Sequence, residues 1–165
     1  MILGIDPGGI SPKGIRTGAA CILDDKGALY LIILINTHDF QELRDLAIDF
    51  KGLGGLTCYV EKCYMPVTRS AGKFKAGKTF NPKTLIDHAM SIGLTKGVME
   101  SHGVQCHLVG ATTWQSQVRV INGNRQPKKE GSLAVAKLLG YETKNHNEAD
   151  AMLIATYGYR QRKIK

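Results

Sequence analysis

The sequence has no apolar run long enough to cross a bilayer. Its longest, Leu29 to Ile35, falls far short of the roughly 20 residues that a helical span needs. No basic stretch followed by an apolar segment opens the chain, so no secretion signal is read there. Cysteine is sparse: Cys21, Cys58, Cys63 and Cys106 form no CxxC pair, and no histidine cluster completes a zinc site. Reduced, mostly buried thiols in a cytoplasm-like compartment are expected. Acidic residues are also few, 14 against 22 lysines and arginines, which gives a net charge of +8 and a pI of about 9.4. That balance points to a polyanionic partner, nucleic acid ahead of a membrane surface. There are no internal repeats and no dividing linker. With 165 residues, 43% of them hydrophobic, residues 1–165 are expected to fold as a single domain with a sizeable core.

What is present reads as an α/β pattern. Ile2 to Asp6 is a short buried strand ended by Pro7-Gly8-Gly9. Thr17 to Leu23 and Ala28 to Asn36 are two further strands around the turn Asp24-Asp25-Lys26-Gly27, which makes an opening antiparallel meander. Phe40, Leu43, Leu46, Ala47 and Phe50 recur at helical spacing behind a candidate N-cap, Asp39. A fourth strand runs from Leu56 to Glu61. Beyond a basic stretch, a helix runs from near Pro82 to about His102. A fifth strand, Cys106 to Val109, leads to a short helix containing Trp114, with Thr112 or Thr113 as its cap. Asn122-Gly123-Asn124 marks a turn. Helices over Glu130–Leu139 and Glu148–Tyr159 complete the chain. A meander feeding a βαβ series predicts a mixed sheet flanked by helices.

Two of these strands end on a carboxylate, Asp6 and Glu61. If the strands are adjacent and parallel, both acids emerge on one edge of the sheet, where open α/β folds place their ligands. A third acid, Asp150, lies on a small-residue face of the last helix, with His146 four residues before it and Asn147 three before it. Carboxylates converging from separate elements suit Mg²⁺ or Mn²⁺. Two such ions about 4 Å apart stabilise both the attacking and leaving oxygens of phosphodiester hydrolysis. The plain structural reading of Asp6 is a turn residue, and that of the acids near residue 148 is the preference of helix N-termini for negative charge.

Ile-Leu-Gly-Ile-Asp-Pro-Gly at the N-terminus, Val60-Glu61-Lys62 after the fourth strand, and Glu148-Ala149-Asp150-Ala151 together resemble the RuvC family of Holliday-junction resolvases, within the RNase H-like superfamily. Thr113-Trp114 ahead of a basic stretch, with the compact size, looks most like phage-encoded members. The resemblance implies an RNase H-like mixed five-stranded sheet flanked by helices, and a homodimer. It also implies an endonuclease that uses Mg²⁺ or Mn²⁺, two ions per site, to cut four-way and other branched DNA and leave 5′-phosphate ends. It assigns metal-binding roles to Asp6, Glu61 and Asp150. The family's remaining ligand position, three residues before Asp150, is Asn147 here. Glu148 or His146 then supplies the fourth ligand, or Asn147 coordinates through its carbonyl oxygen, or the site is inactivated by an Asp→Asn change.

Residues 62 to 83 hold Lys62, Arg69, Lys73, Lys75, Lys78 and Lys83 and no acid, with Phe74 and Phe80 interleaved. This is the expected DNA-binding loop, its charges neutralising phosphates and Phe74 wedging between bases at a branch. A second basic segment holds Arg119, Arg125, Lys128 and Lys129. The two lysines match, with an ambiguity of one residue, a family lysine that contacts phosphate or stabilises the leaving group. Leu85 to Val98 is the candidate dimer surface, its other reading being intramolecular core, and Trp114 is expected to be core. The competing functions are another RNase H-like nuclease acting on flaps or hybrids, and a branched-DNA-binding module without catalysis. An actin-like ATPase also begins with Gly-Ile-Asp, but needs two domains.

Overall fold

The computed structural model describes residues 1–8, 18–52, 55–62, 82–121, 124–125 and 128–164. Five strands form one sheet: β1 (Ile2–Asp6), β2 (Gly18–Leu23), β3 (Leu29–Ile35), β4 (Thr57–Lys62) and β5 (Gln105–Gly110), in the order β3-β2-β1-β4-β5. β1 pairs antiparallel with β2, and β2 with β3, while β1 with β4 and β4 with β5 are parallel. The meander and the βαβ series inferred from the sequence therefore meet at β1. The helices are α1 (Phe40–Lys51), α2 (Pro82–Ser101), α3 (Ala111–Val118), α4 (Lys128–Leu138) and α5 (His146–Ile164), and a small hairpin joins β6 (Val120–Ile121) to β7 (Asn124–Arg125). Among the described residues no helix is long and apolar enough to cross a membrane.

Period-two alternation sorts the strands onto two faces. Leu3, Ile5, Ala20, Ile22, Cys58 and Val60 pack with Leu43, Leu46, Ala47 and Phe50 of α1 and with Val98 and Met99 of α2. Ile2, Ala19, Cys21 and Leu23 pack on the opposite side with Trp114, Val135, Ala136 and the α5 run from Ala149 to Ala155. Asp39 does cap α1: its side chain accepts from the N–H groups of Gln41 and Glu42, at 2.8 and 3.2 Å. Neither threonine caps α3. Gly110 takes that position in extended backbone, and Thr112 and Thr113 fall inside the first turn. α5 starts two residues earlier than its apolar pattern suggests because Asn145 caps it, as described below.

α5 lies against the sheet with almost no side chain between. A Cβ placed on Gly4 would come within 2.3 Å of the Ala151 carbonyl oxygen and 2.4 Å of the Ala155 nitrogen, and one on Gly158 within 2.4 Å of the Tyr59 ring. Only glycine permits such an approach. The far end of α5, together with Tyr141 between α4 and α5, clasps the β2–β3 turn. Tyr159 Oη donates to the Lys26 carbonyl at 2.8 Å, Tyr141 Oη to that of Gly27 at 3.0 Å, and Arg162 pairs with Asp25, which also takes the Met1 amine at 2.9 Å.

Candidate metal centre

Asp6 and Glu61 emerge together because of strand register. Ile5 stands opposite Val60 in the parallel β1–β4 ladder, so the next residues, Asp6 and Glu61, leave the sheet side by side at its C-terminal edge. Ile5 and Val60 face α1 and α2; alternation therefore turns Asp6 and Glu61 to the α5 face.

The glycine contacts set which part of α5 reaches them. Gly158 packs against Ile2 and Tyr59, and Gly4 against Ala151 and Ala155, so the helix runs antiparallel to β1. Two strand residues advance about 6.6 Å and four helical residues about 6 Å. One further step along the strand, to Asp6, thus corresponds to one further turn toward the helix start, where Asn147 and Asp150 lie.

The loop behind Asp6 is pinned from the other face. The Thr37 hydroxyl donates to the Pro7 carbonyl, and Ser91 Oγ of α2 lies 3.3 Å from the same oxygen and bonds Thr37; both side chains are buried. The Gly8 N–H meets Asp6 Oδ1 at 3.3 Å, which turns the carboxylate back over its own loop. Buried polar groups of this kind keep their partners at a fixed separation.

Glu61 is mostly buried, and its Oε2 accepts from Trp114 Nε1 at 2.7 Å. Burial pushes its carboxyl up to about 7. The indole hydrogen bond opposes the rise, the charge of Asp150 adds to it, and Arg119 opposes it. Asp150 is thus within electrostatic reach of Glu61. Asp150 Oδ1 in turn accepts from Ser132 Oγ of α4. Arg119 is only 6% exposed. Its guanidinium reaches Ser132 Oγ at 3.3 Å and Gln115 Oε1 at 2.9 Å, and lies 5.9 Å from the centre of the Trp114 ring.

Two expectations are corrected here. Arg119, expected among the exposed DNA contacts, is instead buried: a cation this deep is held by internal partners, among them Ser132, Gln115 and the indole face. Glu148 is a capping residue. Asn145 Oδ1 accepts from the N–H groups of Asn147 and Glu148, both at 3.0 Å, and the Glu148 carboxylate reaches back to the Lys144 N–H at 2.7 Å. This resembles a capping box shifted by one residue, and it engages one oxygen of the acid that the sequence offers as a ligand. His146 and Asn147 occupy the first turn of α5, half-buried. Among the described residues no three His, Cys, Asp or Glu side chains stand together as a ready ion-binding group.

Lys62 is exposed at the end of β4, next to Glu61. Arg69, Lys73, Phe74, Lys75 and Lys78 lie outside the described residues, as does Cys63. Lys83 falls in the first turn of α2, Arg125 in β7, and Lys128 and Lys129 in the first turn of α4. Cys21, Cys58 and Cys106 are buried free thiols, as expected. Trp114 is fully buried, also as expected, but its hydrogen bond to Glu61 and the Ser132–Asp150 bond are not readable from the pattern. The available signals are general: a buried indole N–H needs an acceptor, and so does a hydroxyl on a helix that packs inward.

The sequence matches no family model, and no curated protein is significantly similar to it. Solved structures do share its architecture over nearly the whole length. Thermus thermophilus RuvC in complex with Holliday junction substrate aligns with a TM-score of 0.64 at 14% identity, over 98% of this chain and 94% of that one. A further Thermus thermophilus RuvC structure gives 0.58 at 15% identity, over 98% and 95%. The chain has the RuvC-like RNase H fold, a mixed five-stranded sheet flanked by helices.

Proposed function

We propose that this protein is a structure-selective endonuclease that hydrolyses phosphodiesters in four-way and other branched DNA with the help of divalent metal. The reading is supported by register and packing: Asp6 and Glu61 leave adjacent parallel strands at one sheet edge, and α5 packs so that the turn bearing Asp150 approaches that edge. Likeness in fold to a resolvase bound to a Holliday junction supports it. The donor set suits a hard cation. It offers oxygen only, and burial together with the charge of Asp150 holds the Glu61 carboxyl at about 7, a penalty that a cation relieves. Asp6, Glu61 and Asp150 would hold Mg²⁺ or Mn²⁺, two ions in a full site, with Asp6 drawn in by the ion and Asn147 offering a neutral oxygen. When bound, such an ion activates water and offsets charge on the scissile phosphate. Lys62 lies beside Glu61 to meet the DNA backbone, and the net charge of +8 draws the polyanion in.

A homodimer would place two such sites for paired nicks in a symmetric junction. Its surface is the outer side of α2. Ile86 and Met90, one turn apart, are 59% and 62% exposed, whereas Ser91, Thr95, Val98 and Met99 of the same helix are buried. The candidate segment Leu85–Val98 thus divides between core and surface.

Asn147 favours a second reading, a branched-DNA-binding module with weak or no catalysis, since an amide replaces an anionic donor. Cleavage of a labelled four-way junction in Mg²⁺ or Mn²⁺ separates the two. The nuclease reading expects symmetric nicks that vanish in Asp6→Asn. Tight binding with no cutting in the natural chain, and none in Asn147→Asp, would replace it with the binding module.

A further inference from the structure

Glu61 and Asp150, both partly buried, are each held by a hydrogen-bond donor from the α3–α4 side of the molecule. Trp114, fully buried in α3, gives its one polar hydrogen to Glu61 Oε2 at 2.7 Å. An indole N–H donates and never accepts, so it engages one carboxylate oxygen and leaves the other for a different partner. Ser132, fully buried in α4, donates to Asp150 Oδ1. A hydroxyl has one hydrogen, and its direction is set here by Arg119. The guanidinium donates to Ser132 Oγ at 3.3 Å, occupies a lone pair and leaves the hydroxyl hydrogen for Asp150. Arg119 closes α3, is tied to Gln115 one turn earlier, and lies against the Trp114 ring. The donors to both acids are therefore parts of one packed unit. Carboxylates of a metal centre are oriented by such outer partners.

We infer that Trp114 and the Arg119–Ser132 pair are positioning residues that fix the Glu61 and Asp150 carboxylates for a divalent cation, and that Trp114 senses the cation's arrival. The inference rests on the metal-dependent reading above. Trp114 is the single tryptophan of the chain, so its emission belongs to this site alone.

The test is Mn²⁺ titration of the full chain without DNA. Tryptophan emission is followed alongside free Mn²⁺ by electron paramagnetic resonance, with Mg²⁺ as the non-quenching control. Mn²⁺ bound at the site is expected to quench Trp114 in the natural protein and not in Asp6→Asn. Trp114→Phe and Ser132→Ala are expected to weaken Mn²⁺ binding about 10–100-fold. Ser132→Thr, which keeps the hydroxyl, is expected to restore it. Junction affinity in EDTA should stay unchanged in all three. If Trp114→Phe does not fold, as judged by circular dichroism, quenching in the natural protein and the two Ser132 variants decide. Asp6-dependent Mn²⁺ binding that neither quenches Trp114 nor weakens in Ser132→Ala would overturn the positioning role and leave the nuclease reading standing. No Asp6-dependent Mn²⁺ binding at all would overturn both.

Discussion

The two faces of the sheet are built to different ends. The face toward α1 and α2 is filled largely by bulky apolar side chains such as Leu3, Ile5, Leu43, Phe50 and Met99. The face toward α5 mixes large side chains such as Trp114, Met152 and Leu153 with a close backbone contact of Ala151 and Ala155 on Gly4, and Arg119, Ser132 and Glu148 are buried on the same side. Large side chains tolerate small shifts by changing rotamer. Backbone packed on backbone does not, and buried polar groups lose much when their partners move. Both faces supply apolar burial, and the α5 face adds the close backbone contact and the buried donors that set the carboxylates in place.

If that contrast is right, substitutions on the two faces should fail differently. The largest effect is expected from Gly4→Val, whose side chain would enter the space of the Ala151 and Ala155 backbone. No cooperatively folded protein should be recovered, as judged by urea unfolding followed by circular dichroism. A folded Gly4→Val variant would show that α5 can lift off. Next, Leu43→Ala on the other face should cost about 2–5 kcal/mol, because it opens a cavity in a packed core. On the proposed function, the protein that remains folded should keep the junction cleavage and Mn²⁺ affinity measured for the natural chain. A drop in Mn²⁺ affinity would erase the distinction between the faces.

The smallest effect is expected from Glu61→Gln, and it has a pH signature. Glu61 rises from an ordinary 4.5 to about 7 on folding, so the folded state holds its proton more tightly between those values. Stability drawn from this group is therefore intact below about pH 4.5 and lost as pH rises toward 7. Glutamine removes the penalty while keeping an acceptor for Trp114. Without metal, Glu61→Gln should match the natural chain at pH 4.5 and exceed it by about 1–3 kcal/mol at pH 8. Saturating Mg²⁺ should narrow the gap. Equal stability at both pH values would show that Glu61 is better solvated than its burial implies.

The strands, α1 and the carboxylate edge were legible because their signals are local. Apolar runs ended by Asp6 and Glu61, and the 3.6-residue rhythm after Asp39, need no knowledge of distant residues. Helix boundaries shifted where caps decide them. Gly110 displaced Thr112 and Thr113, and Asn145 drew the start of α5 forward. The fates of Arg119 and Glu148 were not legible. An arginine in a basic segment and a glutamate beside the expected ligand look functional in one dimension. For Arg119 the outcome depends on a helix farther along the chain, through Ser132, whereas Glu148 meets a backbone N–H only one turn away, at Lys144, where capping and metal binding compete for the same acid. Trp114 was read correctly as core and incompletely as only core.

The central position of β1 has a consequence for the order of assembly. The strand lies between β2 and β4, and its outer surface is completed by α5, the last helix. Asp6 and Asp150 lie far apart in the sequence, so these acids can meet only after the whole stretch between them has been synthesised. Pairings between such distant segments form slowly, because a long loop must close first. During synthesis the meander can form while Gly4 still faces water, and the acids of β1 and β4 stay apart from Asp150 until α5 lands on the sheet. Whatever the carboxylate edge does is therefore acquired late, as a product of the docking of one helix.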